Sequence, residues 1–389
     1  MLPTDSRWLP AVALGAAVAT AYVAGLATGV LGERDPQPAA TATGVLDEAM
    51  TRIQDQAARP VEEDVLRRAA VEGMLRAVGD RWSRYLDPTD YTSFQDELEG
   101  RYTGVGLWLS SGRGGILVSG VQEASPAEAA GLLPGDVLLE IDGRAVAADP
   151  LGDVAEALRG DAGSTVALMV SRDGEDVEFS VRRAEVTTDD VNVTRLNGGI
   201  QVVEIRSFSR GVGRDVRDAL TLDTGARSGG VVLDLRGNPG GLLTEAVDVA
   251  GAFLDGGPVV SYETRASGTR TLESLAPGDT TTPVVVLVDG GTASAAEVVA
   301  AALQDRNRAI VVGTRTYGKG SVQESAVLSD GSAIELTVGR YRTPSGRLID
   351  GVGVEPDVVA DGTTAGPEAA EARAIEVLRG LVASAGGPG

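Results

Sequence analysis

Three patterns of hydrophobic and polar residues follow one another along the chain from residue 44. Residues 44–80 carry apolar side chains at helical spacing, and Pro60 predicts a break between two helices. Residues 100–183 alternate apolar and polar positions over short segments, which is typical of β-strands. Residues 184–360 alternate buried-type strands with amphipathic helices. These patterns predict a mixed α/β protein with a helical start, a β-rich middle part and an α/β core.

The β-rich part is predicted to contain short strands and two short helices. Its strand segments are YTGVGLWLS, GILVSGV, DVLLEIDG, TVALMVSRDG and VEFSVRR. Its helical segments are SPAEAAG and DVAEALRG, for which Ser125 and Asp153 are the expected N-caps because their side-chain oxygens can accept free N–H groups. A further short helix is predicted near the C-terminus, from Pro367 to Val382.

In the α/β core, the segment PVVVLVDGGTASAAEVVAAALQD predicts a buried strand, a glycine turn and a helix, with Ser294 at the start of the helix. At that place, free N–H groups and the helix dipole can stabilise an oxyanion, which suits a nucleophile. The same place also suits an ordinary N-cap serine. The segment alone leaves both interpretations open.

The N-terminal segment of residues 8–32 contains no charged residue and is long enough to span a bilayer as a helix. Arg7 precedes it, which favours a signal anchor with the rest of the chain outside the cytoplasm. The alternative is a released form, because Ala40, Thr41 and Ala42 follow a linker-like segment and resemble a cleavage site.

The composition removes several classes of chemistry. The formal net charge of −22 makes nucleic acid a poor partner. The chain has no cysteine and no histidine, which excludes disulfides, zinc-finger spacing, thiol nucleophiles and imidazole bases. We therefore expect no metal and no cofactor.

Lys319 is the only lysine in a chain whose other basic residues are all arginines. An arginine keeps its proton in a protein, whereas burial can make a lysine neutral and basic. If residues 319–323 are extended, Lys319, Ser321 and Gln323 share one face, so that Gln323 could orient the amine. A serine without a histidine partner needs such a base, and serine–lysine dyads are a known variant.

The sequence from Gly313 to Lys319 also matches the start of a phosphate-binding P-loop, G-x-x-x-x-G-K. The next residue is Gly320, where a magnesium-binding serine or threonine is required, and the following segment predicts strands around an Asp330–Gly331 turn. We therefore set aside an NTPase.

The order GVGL followed by AGLLPGDVLLEIDG resembles a PDZ domain over about 85 residues. In such a domain, backbone N–H groups of the glycine-containing loop bind the C-terminal carboxylate of a peptide, which adds as a strand. The resemblance implies that Gly104, Val105, Gly106 and Leu107 form this loop.

The motifs GTASAAEVVAAALQD, VGTRTYGKGSVQ, DLRGNPGG and GDRWSRYLDP resemble the carboxy-terminal processing peptidases, the tail-specific serine proteases of family S41. The resemblance implies Ser294 as nucleophile, Lys319 as general base and Gln323 as the residue that positions the lysine. It further implies an oxyanion hole from the backbone N–H groups of Gly240 and Ala295. Asp305 occupies an acidic position that we interpret as structural. The family commonly has asparagine and serine where this chain has Asp289 and Thr292, which affects the substrate cleft and not the dyad.

The sequence thus predicts a membrane-anchored serine endopeptidase that cleaves near apolar C-terminal tails of exported or membrane proteins. The expected domains are a cytoplasmic N-terminus (1–7), an anchor (8–32), a linker and helical region (33–97), a PDZ domain (98–183), a peptidase core (184–360) and a tail (361–389). The alternative is a catalytically idle PDZ receptor or chaperone for such tails. The sequence leaves open whether the protein forms homo-oligomers.

Overall fold

The computed structural model describes residues 42–112, 115–221, 229–265, 267–360 and 367–385. The chain divides into two compact units, Met1–Met74 and Leu75–Gly389. Helices α1 (Ala42–Gln56) and α2 (Glu63–Val78) confirm the predicted break at Pro60. No helix within the described ranges is long and apolar enough to cross a membrane. The anchor predicted for residues 8–32 lies outside those ranges.

The β-rich part is built around one antiparallel sheet. It is reached through β1 (Arg84–Leu86), α3 (Pro88–Leu98) and β2 (Arg101–Gly104). Its elements are β3 (Leu107–Gly112), β4 (Gly115–Val121), α4 (Pro126–Ala130), β5 (Val137–Ile141), β6 (Arg144–Ala145), α5 (Leu151–Leu158), β7 (Thr165–Arg172), β8 (Glu175–Arg182) and β9 (Ala184–Thr187). The sheet order is β3-β4-β5-β7-β8 with β6 paired to β5, whereas β2 pairs with β9.

One of the two predicted helix caps in this part is confirmed and the other is wrong. Ser125 precedes α4, and its side chain accepts a hydrogen bond from the N–H group of Glu128. Asp153 lies inside α5, which begins two residues earlier after Pro150. Pro150 occupies the N-cap position with an extended ψ of 141° and no side-chain cap, and Asp153 lies in the first turn, where its negative charge suits the helix dipole.

The α/β core contains the remaining elements. They are β10 (Val191–Leu196), β11 (Ile200–Ile205), α6 (Val212–Thr221), β12 (Val231–Asp234), α7 (Leu243–Gly251), β13 (Asp255–Thr264), β14 (Gly268–Pro277), β15 (Val284–Val288), α8 (Ala295–Asp305), β16 (Ile310–Gly313), β17 (Ser321–Val327), β18 (Ala333–Arg342), β19 (Val358–Val359) and α9 (Pro367–Ala385). One sheet has the order β10-β11-β12-β15-β16-β19, in which all neighbours except β10 and β11 are parallel.

Helices cover this central sheet on both faces. Residues of α6, α7 and α8 pack with one face, and Ala370, Ala374 and Leu378 of α9 pack with the other. Strand β15 is consequently buried along its whole length, which explains its unbroken apolar sequence. The described part of the chain thus confirms the predicted mixed α/β class.

A second sheet of the core contains β18, which pairs with β17, β1 and β13, while β13 also pairs with β14. Strands β17 and β18 form the hairpin that the sequence predicts around Asp330 and Gly331. Lys319 therefore leads into a strand and not into a helix, so the P-loop geometry is not formed.

Candidate active site

The candidate residues lie on loops that leave three neighbouring parallel strands at the same edge of the central sheet. Strand β12 leads to Gly240, β15 leads to Ser294, and β16 leads to Lys319. Ligands of open α/β sheets bind at the carboxyl ends of the strands. The topology therefore brings together residues that are up to about 80 positions apart in sequence, which no local pattern would reveal.

Ser294 lies in a strained turn between β15 and α8. Its backbone has φ +53° and ψ −116°, a conformation that costs a residue other than glycine about 1–3 kcal/mol. An ordinary N-cap has an extended backbone, so Ser294 differs from a simple cap. In α/β-hydrolases, a strained serine between strand and helix presents its hydroxyl group to substrate. Ser294 thus occupies the N-cap position of α8 with a backbone that an ordinary cap does not have, and its role as nucleophile stays a prediction.

Gly240 and the N–H group of Ala295 lie directly beside Ser294. A Cβ atom at position 240 would lie 2.8 Å from Ser294 Cβ and 3.1 Å from the Ala295 nitrogen. The N–H group of Gly240, however, donates a 2.8 Å hydrogen bond to Asn238 Oδ1. The two predicted oxyanion-hole residues, Gly240 and Ala295, are thus adjacent. In this structure, however, the N–H group of Gly240 points to the side chain of Asn238 and not to an open oxyanion site.

Gly240→Ala is expected to lower kcat by about 10²-fold, because a methyl group at φ +110° must displace the Ser294 side chain. Steady-state proteolysis by the purified full-length variant measures the effect. Gly290→Ala is the matched control, since a Cβ atom there meets no heavy atom within 4 Å. Equal kcat values for the two variants would contradict the close packing of Gly240 on Ser294.

Lys319 is half-buried against an aromatic side chain from the N-terminal side of the chain. Its Nζ atom lies 5.0 Å from the centroid of the Trp82 ring. Burial lowers the pKa of Lys319, and nearby Arg84 lowers it further, while Glu335 acts in the opposite direction. Within the described residues, no hydrogen bond joins Lys319 Nζ to Ser294 Oγ. Such hydrogen bonds often form only when substrate is bound.

In the part of the chain that the structure describes, no hydrogen bond joins the Gln323 side chain to the amine of Lys319. Its amide nitrogen donates to Ser321 Oγ at 2.7 Å and to Thr337 Oγ1 at 3.3 Å. Gln323 and Ser321 therefore share one face of β17, as the predicted alternation requires. A role of Gln323 in positioning Lys319 stays a prediction.

Asp305 ends α8 at about 16 Å from Ser294 along the helix axis. Its carboxylate accepts a 2.9 Å hydrogen bond from the N–H group of Ser345 and pairs with Arg347. These contacts hold the turn after β18, in agreement with a structural role.

Sequence reasoning did not identify two buried side chains that touch the candidate dyad. The carboxylate of Glu297 accepts a hydrogen bond from the backbone N–H group of Ser294 and another from that of Lys319. The Ser294 side chain lies near enough to the Tyr341 hydroxyl group to act on its pKa, but burial outweighs this effect and raises the pKa of Tyr341 to about 12. The spacing of Ser294 and Glu297 matches a capping box, which is the only sequence signal that pointed to either residue.

The loop predicted to bind a carboxylate connects β2 to β3. Gly106 has φ +85°, and a Cβ atom there would lie 2.3 Å from Ser125 Cβ, so only glycine fits. The carbonyl groups of Val105 and Gly106 accept hydrogen bonds from the N–H groups of Ala127 and Gln122. Gly104 ends β2 and Leu107 begins β3, so the four predicted residues form one continuous turn.

Comparison with known families assigns both parts of the second unit. The family model for peptidase family S41 matches residues 199–360, and that for the PDZ domain matches residues 117–172. The S41 match includes Gly240, Ser294, Lys319 and Gln323.

Individual relatives agree with these matches. The chain is 30% identical to carboxy-terminal processing protease CtpA of Bacillus subtilis over 90% of this chain and 75% of that protein. It is 34% identical to a carboxy-terminal-processing protease of Bartonella bacilliformis over 80% and 73% of the two chains. It is 33% identical to a probable CtpA-like serine protease of Staphylococcus aureus, of which it spans only 61%.

Solved structures show the same similarity. A photosystem II D1 C-terminal processing protease matches with a TM-score of 0.52 and 30% identity over 87% of this chain and 98% of the other. Fold and comparisons together define a serine-type endopeptidase with a PDZ domain, which acts on protein or peptide substrates. The chain belongs to peptidase family S41, the carboxy-terminal processing proteases.

Proposed function

We propose that this serine endopeptidase uses Ser294 as nucleophile and Lys319 as general base to cleave near the C-terminal tails of exported or membrane proteins. The observation that carries the proposal is the strained backbone of Ser294 at a strand-to-helix turn, on the sheet edge that also carries the half-buried Lys319. A strained serine beside a lysine of lowered pKa is the pairing that a serine–lysine dyad requires.

The reaction begins when the side chain of Lys319 leaves the Trp82 ring and its neutral amine accepts the proton of Ser294 Oγ. The oxygen then attacks the carbonyl carbon of the scissile bond. Lys319 returns the proton to the leaving amine as the peptide bond breaks, and the acyl group stays on Ser294. Water hydrolyses this ester with Lys319 again as base.

The N–H group of Ala295, at the start of α8, is the donor best placed for the oxyanion, because the helix dipole adds to its partial positive charge. The N–H group of Gly240 becomes a second donor once it exchanges Asn238 Oδ1 for the oxyanion. Gln323 positions Lys319 after releasing Ser321 and Thr337.

We delimit the PDZ domain to residues 98–183 and the peptidase core to residues 184–360. The PDZ domain binds the apolar C-terminus of the substrate through the loop of residues 104–107. Strand β3 is at the edge of its sheet, so an added peptide strand finds unpaired N–H and C=O groups there. The apolar residues Leu107 and Leu109 on β3 suit an apolar tail.

Gly106→Ala is expected to weaken binding of an apolar-tailed peptide by about tenfold or more, because its methyl group meets Ser125 and strains the loop at φ +85°. Fluorescence anisotropy of a labelled peptide measures the dissociation constant. The control Gly152→Ala adds a methyl group in open space on α5 and should bind like wild type. Equal weakening in both variants would contradict a specific role of the loop.

We also propose that residues 8–32 anchor the protein in the bacterial cell membrane with the catalytic part outside the cytoplasm. The uncharged length of this segment and the single Arg7 before it support this orientation. Cleavage near Ala42 would give a released form.

The experiment that tests the proposal compares two unstructured proteins that differ only in an apolar or a charged C-terminal tail. The full-length protein should cleave the apolar-tailed protein with the higher kcat/KM, and its Ser294→Ala and Lys319→Ala variants should cleave neither. The rival is an idle PDZ receptor: tail binding by wild type that survives Ser294→Ala, without any cleavage, would establish it instead.

A further inference from the structure

The carboxylate of Glu297 receives four hydrogen bonds from the two loops that carry the candidate dyad. Its Oε2 atom accepts from the N–H groups of Ser294, at 2.9 Å, and Lys319, at 2.8 Å. Its Oε1 atom accepts from the N–H group of Gly318, at 2.8 Å, and from the hydroxyl group of Thr316. Glu297 is fully buried. Each oxygen thus binds two donors.

Only an ionised carboxylate matches this arrangement. A carboxylate offers about four acceptor sites and no donor, so the four donors use its full capacity. Burial raises the pKa of Glu297 above its usual value, because it outweighs the lowering by these hydrogen bonds. The four donors and the positive end of the α8 dipole are nevertheless matched to the ionised form. A glutamine of the same shape would turn an NH₂ group toward two donors.

The same carboxylate links the two loops beyond the carboxyl ends of the paired strands β15 and β16, where a backbone hydrogen bond from Tyr317 to Thr292 also joins them. Ser294 and Lys319 lie on different loops, and Oε2 of Glu297 accepts hydrogen bonds from the backbone N–H groups of both. Thr316 extends the connection, because its oxygen also accepts a 2.7 Å hydrogen bond from the N–H group of Val354. Removing the carboxylate therefore loosens both the strained turn of Ser294 and the loop of Lys319, although backbone hydrogen bonds still hold each loop.

We propose that Glu297 is the positioning residue of the Ser294–Lys319 dyad, whose carboxylate fixes the backbone of the nucleophile relative to the backbone of the base. This inference rests on the proposed function and adds a residue to it. Glu297 touches neither substrate nor the reacting atoms, so its loss changes the geometry of the chemical step and leaves substrate binding by the PDZ domain unchanged.

The test uses the full-length protein and β-casein as an unstructured substrate. Glu297→Gln should lower kcat by about 10²-fold, the cost of a misplacement of about 1 Å, with KM little changed. Thr316→Val, which removes one of the four donors, should lower kcat by about tenfold, and Thr316→Ser, which keeps the hydroxyl group, should restore it. Hydrogen exchange should be faster at the amides of residues 294, 318 and 319 in Glu297→Gln.

Circular dichroism identifies variants that fail to fold. If Glu297→Gln is one of them, the difference in kcat between Thr316→Val and Thr316→Ser tests the positioning role in its place. Folded Glu297→Gln and Thr316→Val proteins with wild-type kcat would overturn the inference, as would an effect confined to KM. The parallel Ser294→Ala variant separates the two claims: if it is inactive while Glu297→Gln is fully active, the dyad stands and only the positioning role falls. Wild-type protein that leaves β-casein intact, or a fully active Ser294→Ala variant, overturns both.

Discussion

Ser294→Ala is expected to lower kcat for proteolysis by at least about 10⁴-fold, because no acyl-enzyme can form without the hydroxyl oxygen. The strained turn accepts alanine as readily as serine, and the Glu297 hydrogen bond to the backbone N–H group is unaffected. Substrate binding should therefore persist. Discontinuous gel assays of substrate cleavage, with circular dichroism to verify folding, measure the loss.

Ser325→Ala is the control for this substitution, since Ser325 is an exposed serine on β17. It should retain wild-type kcat. A folded Ser294→Ala variant that cleaves as fast as Ser325→Ala would show that the nucleophile is another residue.

Lys319→Arg is expected to lower kcat by about 10³-fold, in the range that general-base catalysis contributes. Arginine has a similarly long side chain and the positive charge of a protonated lysine, but it cannot release its proton. The substitution therefore separates the basicity of Lys319 from its charge. Initial rates at saturating substrate across a pH series measure the effect.

The pH dependence of the wild-type enzyme gives the same claim a second test. Burial lowers the pKa of Lys319, so the neutral base predominates above that lowered pKa, and kcat/KM should fall as the pH drops through it. Lys319→Arg should lose this limb of the profile. A wild-type profile that is flat between about pH 5 and 10, or a Lys319→Arg variant of full activity, would remove Lys319 as base.

The same pKa direction has a consequence for stability. The unfolded chain binds a proton at this lysine up to its ordinary pKa, whereas the folded chain releases it at a lower pH. The contribution of Lys319 to the free energy of unfolding should therefore rise with pH between its lowered pKa in the folded chain and its ordinary pKa in the unfolded chain.

Much of the fold could be predicted because its elements are locally consistent. The unbroken apolar run of β15 and the apolar face of α8 each follow from the period of one type of element. The sequence therefore predicts both elements and the turn with Ser294 between them. The Asp330–Gly331 hairpin likewise needs only turn chemistry. The N-cap at Asp153 was wrong because α5 begins two residues earlier, directly after Pro150, which places Asp153 in the first turn of the helix.

The environment of the candidate dyad could not be predicted in the same way, because it depends on contacts distant in sequence. Trp82 reaches Lys319 from a segment more than 200 residues earlier. Tyr341 reaches Ser294 through the pairing of β18 in another sheet. The composition nevertheless pointed to Lys319, because an absent histidine and a single lysine left few candidates for the base.

Covalent labelling by a fluorophosphonate tests Ser294 as the nucleophile, because an attacking serine oxygen displaces fluoride from the reagent and forms a stable adduct. Peptide mass spectrometry of the labelled full-length protein should locate the adduct on Ser294, with slower labelling in Lys319→Arg and none in Ser294→Ala. A wild-type enzyme that cleaves its substrate but carries the label on another residue, or carries none, would contradict the assignment of Ser294 as the nucleophile.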